Sequence, residues 1–204
     1  MTTDTPNRIV IASGNQGKLA EFAELLEAWH CEVVPQAALG VVPAEETGDS
    51  FVANALLKAH AASHQSLLPA IADDSGLEVD ALGGAPGIYS ARFAGEPAND
   101  EANNRKLLQS LAGVPESERT ARYRCALVYL RHWQDPNPII CQASWEGRIL
   151  TEPAGTGGFG YDPLFFLPEP GVTAAQLESG EKNRLSHRGK AMVALMAALQ
   201  QEFA

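Results

Sequence analysis

Apolar and polar positions divide this chain into short β-branched runs and longer stretches of helical period. Ile9-Val-Ile-Ala12 is β-branched and ends in Ser13-Gly14-Asn15, which predicts a buried strand entering a turn. From Lys18 the period becomes helical. Leu19, Phe22, Leu25, Leu26 and Trp29 share one face, and Glu21, Glu24 and Glu27 point elsewhere. Cys31 to Val34 predicts the next strand, so the chain opens on a βαβ-like unit. After a loop from Pro35 to Gly48, Asp49 or Ser50 caps a helix running to about His64, with Phe51, Ala55, Leu56 and Ala59 inward. Ala70-Ile71-Ala72 predicts a short strand that stops at Asp73-Asp74-Ser75-Gly76.

A Gly/Pro-rich stretch from Gly83 to Gly87 leads into a polar region, and Asn99 caps a helix through Leu111. Tyr123 to Leu130 and Ile139 to Ile149 read as long strands joined by Asp135-Pro136-Asn137-Pro138, an antiparallel hairpin. A glycine-rich loop, Gly155 to Gly160, precedes a short strand at Leu164 to Leu167. Ser186 caps a final helix to about Glu202, with Met192, Leu195, Met196 and Leu199 inward. Helices and strands alternate until the hairpin interrupts them. The expected fold is α/β, with a mixed twisted central sheet flanked by helices and no purely parallel sheet. Neither repeats nor a low-complexity linker divide it, so residues 1–204 are expected to form one catalytic domain.

Composition narrows the function. At 204 residues, 45% hydrophobic and 20% charged, the chain can bury one substantial core or two small lobes sharing one. No apolar run approaches the roughly 20 residues of a membrane span. Met1 to Arg8 is polar and lacks a signal core, so a cytoplasmic protein with no membrane partner is expected. Cys31, Cys125 and Cys141 form no CxxC pair, which argues for packed thiols over zinc or redox motifs. A net charge of −10 and a pI near 4.9 argue against a nucleic-acid partner. For a polyanionic ligand, such a chain must supply a local basic cluster or a bridging divalent cation.

Four segments carry candidate chemistry. Ser13, Gly14, Asn15, Gln16, Gly17 and Lys18 lie between a strand and a helix N-terminus, where backbone N–H groups and the helix dipole favour an anion. The spacing is GxxGK followed by Leu19, so it is not a Walker A loop. The acidic set is Glu45-Glu46 and Asp73-Asp74. Mg²⁺ takes one or two carboxylates with substrate phosphates and water, and a carboxylate can also activate water. Gly155 to Pro163 contains GxGxxG, but Asp162-Pro163 and an aromatic strand follow it, not a helix, which excludes a dinucleotide fingerprint. There Phe159 can offer a π-face to a purine and Asp162 can bond a base edge. Lys182 with Ser186-His187-Arg188 supplies local positive charge. Each segment also has a plain structural reading: an ordinary turn, a solvated charge pair, a core aromatic or a surface basic cluster.

Taken in order, these pieces resemble the inosine triphosphate pyrophosphatase family, also called the HAM1 or dITP/XTP pyrophosphatase family. The resemblance runs from Ile9 to about Leu199. It rests on SGNQGK (Ser13 to Lys18), EETGDSF (Glu45 to Phe51), NALLKA (Asn54 to Ala59), ADDSGLEVDALGGAPGIYSAR (Ala72 to Arg92), GTGGFGYDPLF (Gly155 to Phe165) and SHRGKA (Ser186 to Ala191). It implies cleavage between the α and β phosphates of ITP, dITP and XTP, with Mg²⁺, usually by a homodimer. The expected form is two lobes with the active site in the cleft between them. Ser13 to Lys18 would then cradle the triphosphate, and Glu46 and Asp74 would be the metal carboxylates. Asp74 would also accept the proton of the attacking water. Ser75, Phe159, Gly160, Tyr161, Asp162, Lys182, His187 and Arg188 would contact substrate.

The chain departs from the family at Ala53-Asn54-Ala55, where Glu-Asn-Ala is common. The missing carboxylate leaves a second reading, a nucleotide-binding module with impaired catalysis. A third is a pyrophosphatase for pyrimidine or modified nucleotides. Hypoxanthine and xanthine carry a C6 carbonyl where adenine carries an amine. Donors from backbone N–H, His187 or Arg188 reward the carbonyl and leave the amine unpaired, at about 1–3 kcal/mol per lost bond.

Overall fold

The computed structural model describes residues 6–26 and 31–202. Its strands are β1 (Arg8–Ala12), β2 (Glu32–Pro35), β3 (Ala70–Val79), β4 (Thr120–Leu130), β5 (Ile139–Ile149), β6 (Phe165–Leu167) and β7 (Val172–Thr173). The helices are α1 (Gln16–Leu26), α2 (Phe51–Ser66), α3 (Asp100–Ser110), α4 (Ser179–Leu185) and α5 (His187–Glu202). The strands form one sheet in the order β2-β1-β3-β4-β5-β6-β7. β1 pairs in parallel with β2 and β3, and β6 pairs antiparallel with β5 and β7. The sheet is therefore mixed, as expected.

The chain divides into two compact units, residues 1–74, 125–143 and 188–204 in the first and 75–124 and 144–187 in the second. In the first unit the period-two alternation of the strands builds a core on each face of the sheet. Ile9, Ile11, Ile71, Leu127 and Tyr129 face Phe22 and Leu26 of α1 and Met192, Leu195 and Leu199 of α5. Val10, Ala12, Ala70, Ala72, Ala126 and Val128 face Ala55, Ala59 and Ala62 of α2. The second unit packs Leu77, Val79, Tyr123, Trp145 and Phe165 with Leu107 and Leu111, which lie on and just after α3.

Several expectations hold at the level of single residues. Ser50 caps α2 by accepting from Ala53 N at 3.2 Å, and Asn99 caps α3 by accepting from Ala102 N at 2.8 Å. Others are corrected. The strand expected to end at Asp73 continues to Val79, because its carboxylates find cationic partners and do not need a turn to reach water. Lys182 lies on α4, a helix the period did not reveal; Ser186 is its C-cap and directly precedes α5. The loop after Val34 contains a 3₁₀ turn at Gln36–Leu39. Glu27, Trp29 and the side chain of Leu25 lie outside the described residues. No helix among the described residues is long and apolar enough to cross a membrane.

Candidate active site

The first unit holds two charged clusters, one on each face of β3. Successive side chains of a strand point to opposite faces, so Asp73 shares the face of Ile71 and Asp74 that of Ala72. Asp73 is 1% exposed. Its Oδ2 accepts from Arg188 Nε at 3.2 Å and from Cys125 Sγ at 3.1 Å, and its Oδ1 is paired with Lys18 Nζ. Arg188, 2% exposed, is also paired with Glu21. Burial alone would raise the Asp73 carboxyl, but Arg188 and then Lys18 hold it well below the usual range.

The segment Ser13 to Lys18 turns from β1 into α1. Asn15 N donates to Ser13 Oγ at 3.2 Å. Asn15 Oδ1 accepts from Lys18 N at 3.1 Å and Asn15 O accepts from Leu19 N at 3.0 Å, so Asn15 caps the helix. Gly14, Asn15 and Gln16 are exposed, and Gly17 and Lys18 are half-buried. Nothing stands within 4 Å of where a Cβ would sit on Gly14, so the backbone there is open to approach.

On the other face, Glu46 and Asp74 meet on one ammonium. Lys58 Nζ lies 2.8 Å from Glu46 Oε1 and 2.7 Å from Asp74 Oδ1. Lys58 reaches them from the second turn of α2. Asn54, fully buried one turn earlier, donates to Asp74 Oδ2 at 3.3 Å and accepts from Gly48 N at 2.8 Å. Asn54 thus ties the loop carrying Glu46 to the strand carrying Asp74. Burial pushes the Asp74 carboxyl up, Lys58 opposes it, and the net direction is upward. For Lys58, burial lowers the ammonium, but Asp74 and Glu46 prevail and raise it. No group of three or more His, Cys, Asp or Glu side chains arranged for a metal occurs among the described residues. Two hard carboxylates already sharing one cation nonetheless fit Mg²⁺, which completes its shell with phosphates and water.

The second unit holds the aromatic and basic residues. Asp162, 3% exposed, accepts from Lys182 Nζ at 2.8 Å and Phe159 N at 2.9 Å through Oδ2, and from Tyr123 OH at 3.2 Å through Oδ1. Lys182 Nζ also lies 4.6 Å from the centre of the Phe159 ring. Gly158, at φ +71°, allows this closeness, since a Cβ there would stand 2.1 Å from Asp162 Oδ2. Gly160 N donates to Asp100 Oδ2 at 2.7 Å and Gly160 O accepts from Asn104 Nδ2 at 2.7 Å. Tyr161 is buried, with its hydroxyl donating to Ser90 O at 2.8 Å. His187 is buried and stacks on Tyr123 at 4.7 Å and 9°. Ser75 lies half-buried in β3.

Sequence reasoning brought Glu46 and Asp74 forward but passed over Lys58, Asn54 and Tyr123. Lys58 was legible in principle: it lies four residues after Asn54 on the same helical face. Tyr123 carried no local signal beyond its place in a strand.

Residues 9–198 match the model of the Ham1 family. A dITP/XTP pyrophosphatase of Shigella flexneri is 57% identical over 193 residues, covering 95% of this chain and 98% of the relative. One of Escherichia coli strain K12 is 56% identical, with the same coverage. Among solved structures, a HAM1 protein from Coxiella burnetii superposes with a TM-score of 0.88 at 45% identity, covering 95% of this chain and 98% of that one. The Staphylococcus aureus Ham1 protein gives 0.84 at 41% identity, covering 96% and 99%.

Proposed function

This chain belongs to the Ham1 family, and from that premise we infer that it hydrolyses non-canonical purine nucleoside triphosphates, dITP, ITP and XTP, to the monophosphate and pyrophosphate. The observation that carries the chemistry is the convergence of Glu46 and Asp74 on one cation, Lys58 Nζ. Glu46 and Asp74 would hold Mg²⁺. When bound, it draws charge from the phosphate oxygens.

The chain's own residues supply the rest. Asp74, a buried carboxylate with a raised pKa, accepts the proton of the water that attacks the α-phosphorus. Asn54 and Lys58 hold that carboxylate in place. The backbone of Ser13 to Gly17 and the α1 N-terminus receive the phosphates, with Lys18 offsetting their charge. Phe159 to Asp162, Lys182 and His187 receive the base, with Ser75 and Arg188 completing the substrate contacts. Homodimer formation and a cytoplasmic location are further parts of this proposal, supported by the family resemblance.

Ala53 does not favour a binding-only module, because the acid pair assembles without a carboxylate at that position. The test is product analysis. Protein incubated with Mg²⁺ and dITP, ITP, XTP, GTP, ATP or UTP is expected to release pyrophosphate and monophosphate from the first three in preference. Orthophosphate as the product, or equal turnover of all six, would overturn the proposal.

A further inference from the structure

We propose that Tyr123 is a positioning residue for base recognition, acting on Asp162 through its hydroxyl and on His187 through its ring. This rests on the function proposed above and adds a residue to it.

Asp162 has two oxygens, and three donors converge on them. Oδ2 receives Lys182 Nζ and Phe159 N, and Oδ1 receives Tyr123 OH. A carboxylate so engaged is a clamp: it fixes the Lys182 ammonium over the Phe159 ring and fixes the backbone that presents that ring. Tyr123 is the one donor of the three that comes from neither the glycine-rich loop nor α4. It sits on β4 with its side chain buried in the second unit's core. It therefore references the loop to the sheet.

The same ring covers a face of His187, nearly parallel at 9° and 4.7 Å. Phe165 and Trp145 brace Tyr123 at 4.6 and 6.4 Å between centres. One rigid phenol thus sets two groups, Asp162 and His187, that lie 25 residues apart in sequence and are both assigned to the base. Burial first, and then the charge of Asp162, push the phenol well above its ordinary range, so the hydroxyl stays protonated and remains a donor.

A hydroxyl acting only on base-contacting groups changes nucleotide affinity without changing affinity for a ligand that has no base. The experiment compares wild type, Tyr123→Phe and Tyr123→Leu. It measures kcat and KM for ITP and XTP, the inhibition constant of inorganic tripolyphosphate, and the melting temperature. Tyr123→Phe keeps the stack and loses one hydrogen bond, so KM for both nucleotides is expected to rise about fivefold with kcat changed less than about twofold. Tyr123→Leu also loses the ring contact and is expected to raise KM a further several-fold. The tripolyphosphate constant is expected to stay within about twofold of wild type in any folded variant.

Unchanged KM in Tyr123→Phe, or weakening of tripolyphosphate in parallel with the nucleotides, would overturn the inference. If Tyr123→Leu does not fold, Tyr123→Phe decides alone. Wild-type protein that released no pyrophosphate from any purine triphosphate would instead overturn the function on which it rests.

Discussion

Asp73 and Asp74 are neighbours in one strand, yet their carboxyls are driven in opposite directions. Asp73 faces Arg188 and Lys18 and is held well below the usual range, whereas Asp74, under the opposing pull of Lys58, is raised by burial. The strand's alternation puts one on each face of the sheet, and the partners on each face do the rest. One carboxylate is an anchor. The other is the base in the mechanism proposed above.

Asp74 must be ionised to accept a proton, so its raised pKa fixes the sign of the pH dependence. Activity is expected to fall as pH drops through that value, with the acid limb of kcat/KM higher than an unperturbed aspartate would give. Added Mg²⁺ favours the ionised form and should move the limb downward. Asp74→Asn is expected to lower kcat by about 10²–10⁴-fold while nucleotide binding is largely kept. Pyrophosphate release as a function of pH and Mg²⁺ checks both. An acid limb that ignored Mg²⁺, or near-normal turnover in Asp74→Asn, would remove Asp74 from the role.

Asp73 gives the opposite linkage. Its folded pKa lies below its unfolded one, so its stabilisation is present above the unfolded value and is lost as pH falls through the folded value. Asp73→Asn leaves the Arg188 guanidinium, 2% exposed, with Glu21 but without its buried counter-ion. The expected loss is about 3 kcal/mol at neutral pH, with much of the acid sensitivity gone. Urea unfolding at pH 7 and at about pH 2.5, below the unfolded carboxyl value of about 3.9, measures it. A loss under about 1 kcal/mol, the size of an exposed pair, would mean that Glu21 suffices.

The parts of this arrangement legible in the sequence were those encoded locally. The β1 run, the apolar face of α2, the Ser50 and Asn99 caps and the hairpin all follow from period and turn chemistry within a few residues. What escaped was set by distant partners. Asp73-Asp74-Ser75-Gly76 has the composition of a turn, and partners distant in sequence, among them Lys18, Lys58 and Arg188, the last 115 residues from Asp73, let it remain a buried strand. Helix α4 is seven residues long and contains Gly180, too short for a period to show. Glu46 and Asp74 could be named from the motifs, but their meeting on Lys58 could not.

Lys58 holds together two carboxylates that would otherwise repel. In Lys58→Met this internal cation is gone, and a divalent cation becomes the means of neutralising the pair. The protein is expected to lose stability in chelator and to regain more of it on adding Mg²⁺ than wild type does, through ordinary mass action. Thermal melts with and without Mg²⁺ report the difference. An equal Mg²⁺ shift in the two proteins would show that Glu46 and Asp74 do not share the ion.

Ala53 occupies the third position of α2, where a glutamate can complete a capping box with Ser50. Ser50 Oγ already accepts from Ala53 N at 3.2 Å, so half of the box exists. Ala53→Glu would let a carboxylate reach back to Ser50 N and would add a negative charge at the positive end of the helix. The expected gain is about 0.5–1 kcal/mol, seen as a higher melting temperature in chelator. The opposing term is the new charge's proximity to Glu46 and Asp74, a pair bridged by Lys58 in that condition. If repulsion wins, Ala53→Glu melts lower in chelator and recovers on adding Mg²⁺. A higher melting temperature in both conditions assigns the position to the helix cap, and the Mg²⁺-dependent pattern assigns it to the acid site.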